Sequence, residues 1–284
     1  MKLIYLNGEQ EDPNVEHITF PTGERHIRIN PCVLVSEDVV LVYNEPSGEV
    51  MKLAMAVDIC RRAGVRTLTL LMPFVPYARQ DRVHVESDPL SIKVFANFIN
   101  SMGFSRVIIS DPHSEVTPAL LNNCVTVNQY ELAKVAVDML VNHPLQSCDI
   151  ALVAPDLGAA KKIKQLQTFL IKEHGIEYPI IQCDKKRDPK TGQITGFKIL
   201  DGDPAGKHCL MVDDICDGGG TFLGLRTVLE DDGSDQQSLY VTHGIFSKGT
   251  EILTDNFLNV FCSDSFQQTD ERVNVIEAFY GDRF

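Results

Sequence analysis

The sequence predicts an α/β fold of mainly parallel sheets flanked by helices, and two features carry this prediction. Short apolar runs typical of buried strands recur along the chain, and segments with helical spacing separate them, as in proteins with parallel sheets. The runs are "VVLVYN", "TLTLLMPF", "RVIISD", "DIALVAPD", "YPIIQCD", "HCLMVDD" and "SLYVTHG". The length of 284 residues suits two α/β domains better than a single core.

Two of the intervening segments predict crossover helices. In "GEVMKLAMAVDICRRAG" the apolar residues recur along one helical face, and the pattern stops at Gly64, as a C-terminal cap would. The segment "SIKVFANFINSMG" has the same spacing and ends at Gly103. Packing in a core accounts for the apolar residues of both segments.

The domain division follows from a sequence pattern that occurs twice. Both "VIISDPHS" and "ALVAPDLG" run a buried strand into an aspartate beside a proline, which suggests an internal duplication. A new helix is predicted near Asn128, so we expect domains at 1–130 and 131–284. The polar segment "CDKKRDPKTGQITGFKILDG" predicts a long exposed hairpin or loop.

Composition excludes several classes of protein. The formal charge of −13 argues against nucleic acid as a partner, although a local basic cluster would suit a small anionic ligand. The longest apolar runs are too short to span a bilayer and no leader opens the chain, so we expect no membrane partner and a cytoplasmic location. The eight cysteines show no CxxC pair, which favours reduced thiols over a structural zinc.

The stretch "CLMVDDICDGGGTF" carries the strongest chemical signal. In open parallel sheets, ligands bind beyond the carboxyl ends of the strands. The residues at such positions here are Asp111, His113, Asp156, 184–187 and 213–221, a set that suits a phosphorylated sugar with magnesium. The glycines 218–220 let backbone N–H groups approach a phosphate, and the carboxylates of Asp213 and Asp214 can accept from a diol or hold metal-bound water. A tight acidic turn that caps a helix is the alternative, and the aspartate pair after a buried strand disfavours it.

"VDDICDGGGT" resembles the ribose-phosphate motif shared by type I phosphoribosyltransferases and ribose-phosphate pyrophosphokinases. The stretches "FPTGERHIRIN", "PYARQDR", "SDPHSE", "APDLG", "DKKR" and "THGIFS" resemble pyrophosphokinase motifs, in order, across nearly the whole chain. The resemblance implies two phosphoribosyltransferase-type I-like domains, with the active site in the second domain near the interface. It also implies magnesium-dependent transfer of diphosphate from ATP to the anomeric hydroxyl of ribose 5-phosphate, release of AMP, and a homo-oligomer, either dimer or hexamer.

The resemblance also implies residue roles, motif by motif. The ATP-binding residues are Phe20, Glu24, Arg79, Gln80 and His113, and the metal-binding residues are Asp111, His113 and Asp156. Lys185 and Arg187 are the catalytic cations, in a mobile loop, and the ribose-phosphate site comprises Asp213, Asp214, Asp217, Gly218, Gly219, Gly220 and Thr221. Taken singly, Phe20 would be a core residue, Arg79 a solvated charge, and Asp111 and Asp156 turn residues.

Three departures from the family pattern leave alternatives open. Thr22 stands where an acidic residue is typical, Gly218 stands where threonine is usual, and the sequence ends at "VIEAFYGDRF", before the terminal helix of longer relatives. Loss of the threonine removes a phosphate ligand and opens space, so ADP-ribose, as used in NAD synthesis, is an alternative acceptor. An inactive regulatory subunit and a base phosphoribosyltransferase are the alternatives of other classes.

Overall fold

The computed structural model describes residues 1–6, 12–142, 149–187, 194–278 and 280. These residues form two compact units. The first comprises Met1–Val127 with Tyr280, and the second comprises Asn128–Ala278.

The first unit is built on a parallel sheet whose strands are buried apolar runs. Its strands are β1 (Lys2–Tyr5), β2 (Val15–Thr19), β3 (Arg25–Ile29), β4 (Asp38–Val42), β5 (Thr67–Met72), β6 (Arg106–Ser110) and β7 (Cys124–Val127), and its helices are α1 (Met51–Arg62), α2 (Ser91–Ser101) and α3 (Val116–Leu120). The sheet order is β1-β4-β5-β6-β7, all parallel, while β2 and β3 form a separate antiparallel hairpin. Such strands read as continuous apolar runs because helices cover both faces of the sheet.

The two predicted crossover helices are confirmed as α1 and α2. Gly64 and Gly103 follow their ends with φ of +81° and +60°, a conformation that glycine adopts without steric strain. Leu53, Cys60 and Ile99 are among the fully buried residues on the faces that the spacing predicted.

The second unit holds a larger sheet with one antiparallel edge. Its strands are β8 (Ile150–Ala154), β9 (Ile180–Arg187), β10 (Ile194–Asp201), β11 (His208–Cys216), β12 (Gln236–Gly244), β13 (Val260–Ser263) and β14 (Val273–Ile276), and its helices are α4 (Gln129–Val141), α5 (Ala160–His174), α6 (Gly220–Asp231) and α7 (Glu251–Thr254). The order is β10-β9-β8-β11-β12-β13-β14, and β10 pairs antiparallel with β9. The helix α4 begins where the sequence predicts, and the Asn128 backbone N–H donates to the Glu131 carboxylate at 3.0 Å.

Of the two predicted alternatives for the basic segment, hairpin or loop, the pairing of β9 with β10 confirms the hairpin and places both predicted catalytic cations on β9. Lys185 lies within β9 and pairs with Phe197 of β10, and Arg187 is the last residue of β9. The Phe197 ring packs against α6 so closely that a Cβ on Gly224 would collide with it. This contact anchors the hairpin on the core of the unit. Residues 188–193 of the predicted loop lie outside the described residues.

Burial of His208 on β11 predicts a pH-dependent loss of stability. The side chain is fully buried, its Nε2 lies 2.8 Å from Oγ of Ser238, and burial lowers its pKa to about 4. The unfolded chain therefore takes up a proton near pH 6.5, while the folded chain does so only near pH 4, so the stabilisation is complete above pH 6.5 and falls as pH drops toward 4.

Between pH 7.5 and 5.5 we expect the wild type to lose roughly 1.4 kcal/mol more unfolding free energy than His208→Gln. Urea unfolding at the two pH values measures the difference. His84→Gln, at an exposed histidine, is the control and should track the wild type. Equal pH dependence of the wild type and His208→Gln would contradict the assignment.

No helix of the described residues is long and apolar enough to cross a membrane. The seven cysteines in the described part of the chain are free thiols, and five of them are buried. Burial raises the pKa of the Cys183 and Cys262 thiols to about 12, so these groups are unreactive core residues.

Candidate active site

The carboxyl ends of three adjacent strands in the second unit bring a lysine and three carboxylates together. Asp156 follows β8, Lys185 lies on β9, and Asp213 and Asp214 lie on β11, on the other side of β8. Nζ of Lys185 is 2.9 Å from Oδ2 of Asp156, and Oδ1 of Asp156 accepts from the Ala159 N–H at 3.2 Å. The sheet order thus joins a predicted catalytic cation to a predicted metal ligand.

The two consecutive aspartates of β11 are joined by a hydrogen bond, and burial disfavours the charged form of the first. Oδ1 of Asp213 accepts from the Asp214 N–H at 2.9 Å. Desolvation first, and then the nearby charges of Asp214 and Asp156, raise the pKa of Asp213 well above its ordinary value. Asp214 is buried, and its Oδ2 lies 3.8 Å from Nζ of Lys162 on α5. Sequence reasoning missed Lys162, although a lysine in the first turn of a helix after "APDLG" was a signal for it.

The glycine loop after β11 has the geometry of an anion site. The strand ends at Cys216, and α6 begins at Gly220, so free backbone N–H groups lie at the helix N-terminus. Gly219 has a φ of +76°, and a Cβ there would lie 2.9 Å from Cδ2 of Leu253. Both observations require glycine at position 219. Thr221 lies in the first turn, and Asp217 is exposed.

The expectation that Gly218 opens space is wrong. A Cβ at this position would lie 3.2 Å from both Cδ and Cε of Lys248, so the lysine stem occupies the place of the missing side chain. Lys248 is a second residue that sequence reasoning missed. The only local signal was a lysine directly after "THGIFS".

In the first unit, Phe20 and Glu24 share the turn of the β2–β3 hairpin. The Phe20 N–H donates to the Glu24 carbonyl at 2.9 Å, and the ring is 47% exposed, not a core residue. Thr22, the residue that departs from the family pattern, donates through Oγ1 to Oε2 of Glu24 at 2.7 Å. The threonine therefore orients the neighbouring carboxylate.

Arg79 and Gln80 are exposed on the segment after β5, next to a buried carboxylate that the sequence did not single out. Oδ1 of Asp81 accepts from Nε of Arg82 at 2.9 Å, and Asp81 also interacts with Ser114 and His113. The hydrogen bond from Arg82 is the main cause that holds the pKa of Asp81 below its ordinary value. Asp81 thus links the "PYARQDR" and "SDPHSE" segments.

The predicted metal ligands divide between the units. Asp111 is buried with a φ of +33°, and His113 is exposed, both in the turn after β6 of the first unit, whereas Asp156 lies in the second. Among the residues that the structure describes, no group of three or more acidic, histidine or cysteine side chains is arranged to hold a metal ion. The side chain of Arg187 lies outside the described part of the chain.

Comparison with known proteins decides the family. The ribose-phosphate pyrophosphokinase of Mycoplasma pneumoniae is 30% identical over 82% of this chain and 68% of its own length. That of Maricaulis maris is 30% identical over 87% of this chain and 76% of its own length. The chain belongs to the ribose-phosphate pyrophosphokinase family. Residues 7–103 also match the family model of the N-terminal domain of ribose phosphate pyrophosphokinase.

The fold comparison agrees with this membership. The crystal structure of phosphoribosylpyrophosphate synthetase from Mycobacterium smegmatis superposes with a TM-score of 0.76, at 22% identity, over 93% of this chain and 85% of that one. The predicted α/β fold with phosphoribosyltransferase-like domains is confirmed, and so is membership in this family of enzymes.

Proposed function

We propose that this protein transfers the diphosphate group of ATP to the anomeric hydroxyl of ribose 5-phosphate and releases AMP, with magnesium. The observation that carries the proposal is the meeting of three features at adjacent strand ends of one unit. These are the Lys185–Asp156 ion pair, the Asp213–Asp214 pair and the glycine loop that opens α6. Family membership and the names of the relatives support it.

Each feature has a distinct task in this reaction. The loop at 217–221 binds the 5-phosphate through backbone N–H groups, and Asp213 and Asp214 accept from the ribose hydroxyls. The anomeric hydroxyl then attacks the β-phosphorus of ATP and loses its proton to solvent, while the bond from this phosphorus to the oxygen that leaves with AMP breaks. Lys185, with Arg187, stabilises charge on the transferring group.

The carboxylates at these strand ends are suitable ligands for a magnesium ion. Asp156, Asp213 and Asp214 lie at adjacent strand ends, and burial, followed by the charges of Asp214 and Asp156, raises the pKa of Asp213, so a divalent cation there would relieve the repulsion between the carboxylates. Magnesium in such sites is held by one or two carboxylates together with substrate phosphates and water, so a complete protein cage is not needed. When bound, it would neutralise phosphate charge. Asp156 is the proposed metal ligand of the second unit, and Asp111 and His113 are the proposed metal ligands of the first unit.

The first unit is proposed to bind the nucleotide. The exposed ring of Phe20 can stack on adenine, and Arg79 can pair with phosphate. Glu24, Gln80 and His113 complete the proposed ATP set. A homo-oligomer, dimer or hexamer, and a cytoplasmic location belong to the same proposal.

ADP-ribose is the second candidate acceptor. Position 218 carries no side chain of its own, and the flexible Lys248 stem beside it can yield to a larger group. An inactive regulatory subunit is disfavoured because the Lys185–Asp156 pair and both β11 aspartates are intact.

Release of AMP, measured in a coupled assay with ATP and ribose 5-phosphate, tests the proposal. Mass spectrometry of the products, with ribose 5-phosphate and ADP-ribose offered in parallel, identifies the acceptor. AMP formation that requires ADP-ribose would select the second candidate. An absence of AMP with either acceptor would favour the regulatory subunit, and sugar transfer to a base without ATP would indicate a phosphoribosyltransferase.

A further inference from the structure

A lysine outside the sequence motifs, Lys248, lies against the glycine loop at Gly218. Gly218, unlike Gly219, does not have a positive φ, so its backbone does not demand glycine. The close neighbour is instead the stem of Lys248, with Cδ and Cε at 3.2 Å and Cγ at 3.5 Å from the place of a Cβ. The stem of Lys248 therefore occupies the space that a side chain at position 218 would fill.

The backbone holds Lys248 at this place. The N–H groups of Ile245 and Phe246 both donate to the Cys216 carbonyl, at 2.9 and 3.2 Å, and the Ser247 N–H donates to the Asp217 carbonyl at 3.2 Å. The segment after β12 is thus bonded directly to the start of the phosphate loop.

A tight turn then presents the lysine. Phe246 is buried although its φ is +48°, and its ring packs so closely over Gly244 that a Cβ there would collide with it. Gly249, with a φ of +84°, closes the turn through an N–H bond to the Phe246 carbonyl at 2.8 Å. A non-glycine residue with positive φ persists only where its surroundings enforce it, so the fold fixes the backbone from which the flexible Lys248 side chain extends.

The ammonium of Lys248 is available for a ligand. Within the described ranges it has no hydrogen-bond or ion-pair partner, whereas Lys185 and Lys162 lie beside Asp156 and Asp214. An unpaired cation whose stem lies against the loop that opens α6 suits a phosphate group.

We propose that Lys248 is a specificity-determining residue that binds the phosphate of the acceptor at the glycine loop, and that Gly218 makes room for its stem. This inference rests on the proposed function. Both candidate acceptors carry a phosphate on the ribose C5 oxygen. In ribose 5-phosphate this phosphate is a monoester, and in ADP-ribose it is the first phosphate of a diphosphate ester.

Calorimetry on Lys248→Met, which keeps the stem and removes the charge, tests the proposal. We expect affinity for ribose 5-phosphate, or for ADP-ribose if that is the acceptor, to fall about 10- to 100-fold, as for a lost hydrogen bond to a charged group. Affinity for unphosphorylated ribose and for ATP should not change. Lys248→Arg should retain most of the affinity, and Lys172→Met, at an exposed lysine on α5, is the matched control.

Inorganic phosphate separates this inference from the proposed function. If the wild type turns over neither acceptor, the proposed function fails, yet Lys248→Met should still bind inorganic phosphate more weakly than the wild type. Equal affinity of wild type and Lys248→Met for phosphate and for both acceptors would overturn the role of the lysine. A loss of affinity for unphosphorylated ribose as large as the loss for the phosphorylated acceptors would also overturn it.

A double-mutant cycle tests the contact between the two positions. Gly218→Ala should weaken phosphate binding in the wild type, because the new Cβ displaces the stem, and should have little effect in Lys248→Ala, where the stem is gone. Equal effects in both backgrounds would show that Gly218 does not serve Lys248.

Discussion

Lys185→Ala is expected to lower kcat about a thousandfold, equivalent to about 4 kcal/mol of transition-state stabilisation, while ATP still binds. The cation matters most when charge moves along the transferring phosphoryl group, so its removal affects the chemical step more than the ground state. The structure adds a second reason. Nζ of Lys185 lies 2.9 Å from Asp156, so the substitution also leaves that carboxylate without its cation.

Single-turnover rates and ATP affinity, measured separately, check this expectation. Lys186→Ala is the control, because Lys186 is the exposed neighbour on the same strand and its side chain points to the opposite face. Its turnover should stay near that of the wild type. A Lys185→Ala enzyme with normal kcat, or one whose loss appears only in the Kd for ATP, would remove Lys185 from the catalytic role.

Elements with strong local signals were predicted well from the sequence. Strands such as Asp38–Val42 are continuous apolar runs, and α1 and α2 end at glycines whose positive φ no other residue adopts as readily. The glycine loop was found because strand, aspartates, glycines and threonine are consecutive in the chain. In each case the determining residues are neighbours in sequence.

Features that depend on distant residues were missed or misplaced. The polar segment around Lys185 left hairpin and loop open, and the pairing of Lys185 with Phe197, whose ring contacts Gly224, decides for the hairpin. The contact of Gly218 with Lys248 joins two loops that only the order of β11 and β12 brings together. The local sequence pattern does not show which residues from distant parts of the chain will be in contact.

The environment of the β11 carboxylates also depends on a residue distant in sequence, Asp156. Their arrangement has opposite effects on function and on stability. Desolvation by burial, together with repulsion from Asp214 and Asp156, raises the pKa of Asp213. An ionised group whose folded pKa is raised destabilises the folded state at any pH above that raised value, and the effect disappears below its unfolded pKa, ordinarily 3.8.

Asp213→Asn is therefore expected to raise the free energy of unfolding at pH 8, in chelator and without substrate, while it weakens acceptor binding roughly a hundredfold. The gain in stability arises because the amide has no charge that burial penalises or that repels Asp214, and the loss of affinity arises because the substitution removes charge-assisted hydrogen bonds to the ribose hydroxyls, each worth about 1.5 to 3 kcal/mol. Urea unfolding and calorimetry with ribose 5-phosphate measure the two quantities on the same preparation. Asp235→Asn, at an exposed carboxylate of the same unit, should change neither. Lower stability together with weaker binding would mean that Asp213 serves the fold rather than the ligand. Unchanged affinity would count against the ribose assignment, because the Asp213 carboxylate would then contribute nothing to acceptor binding.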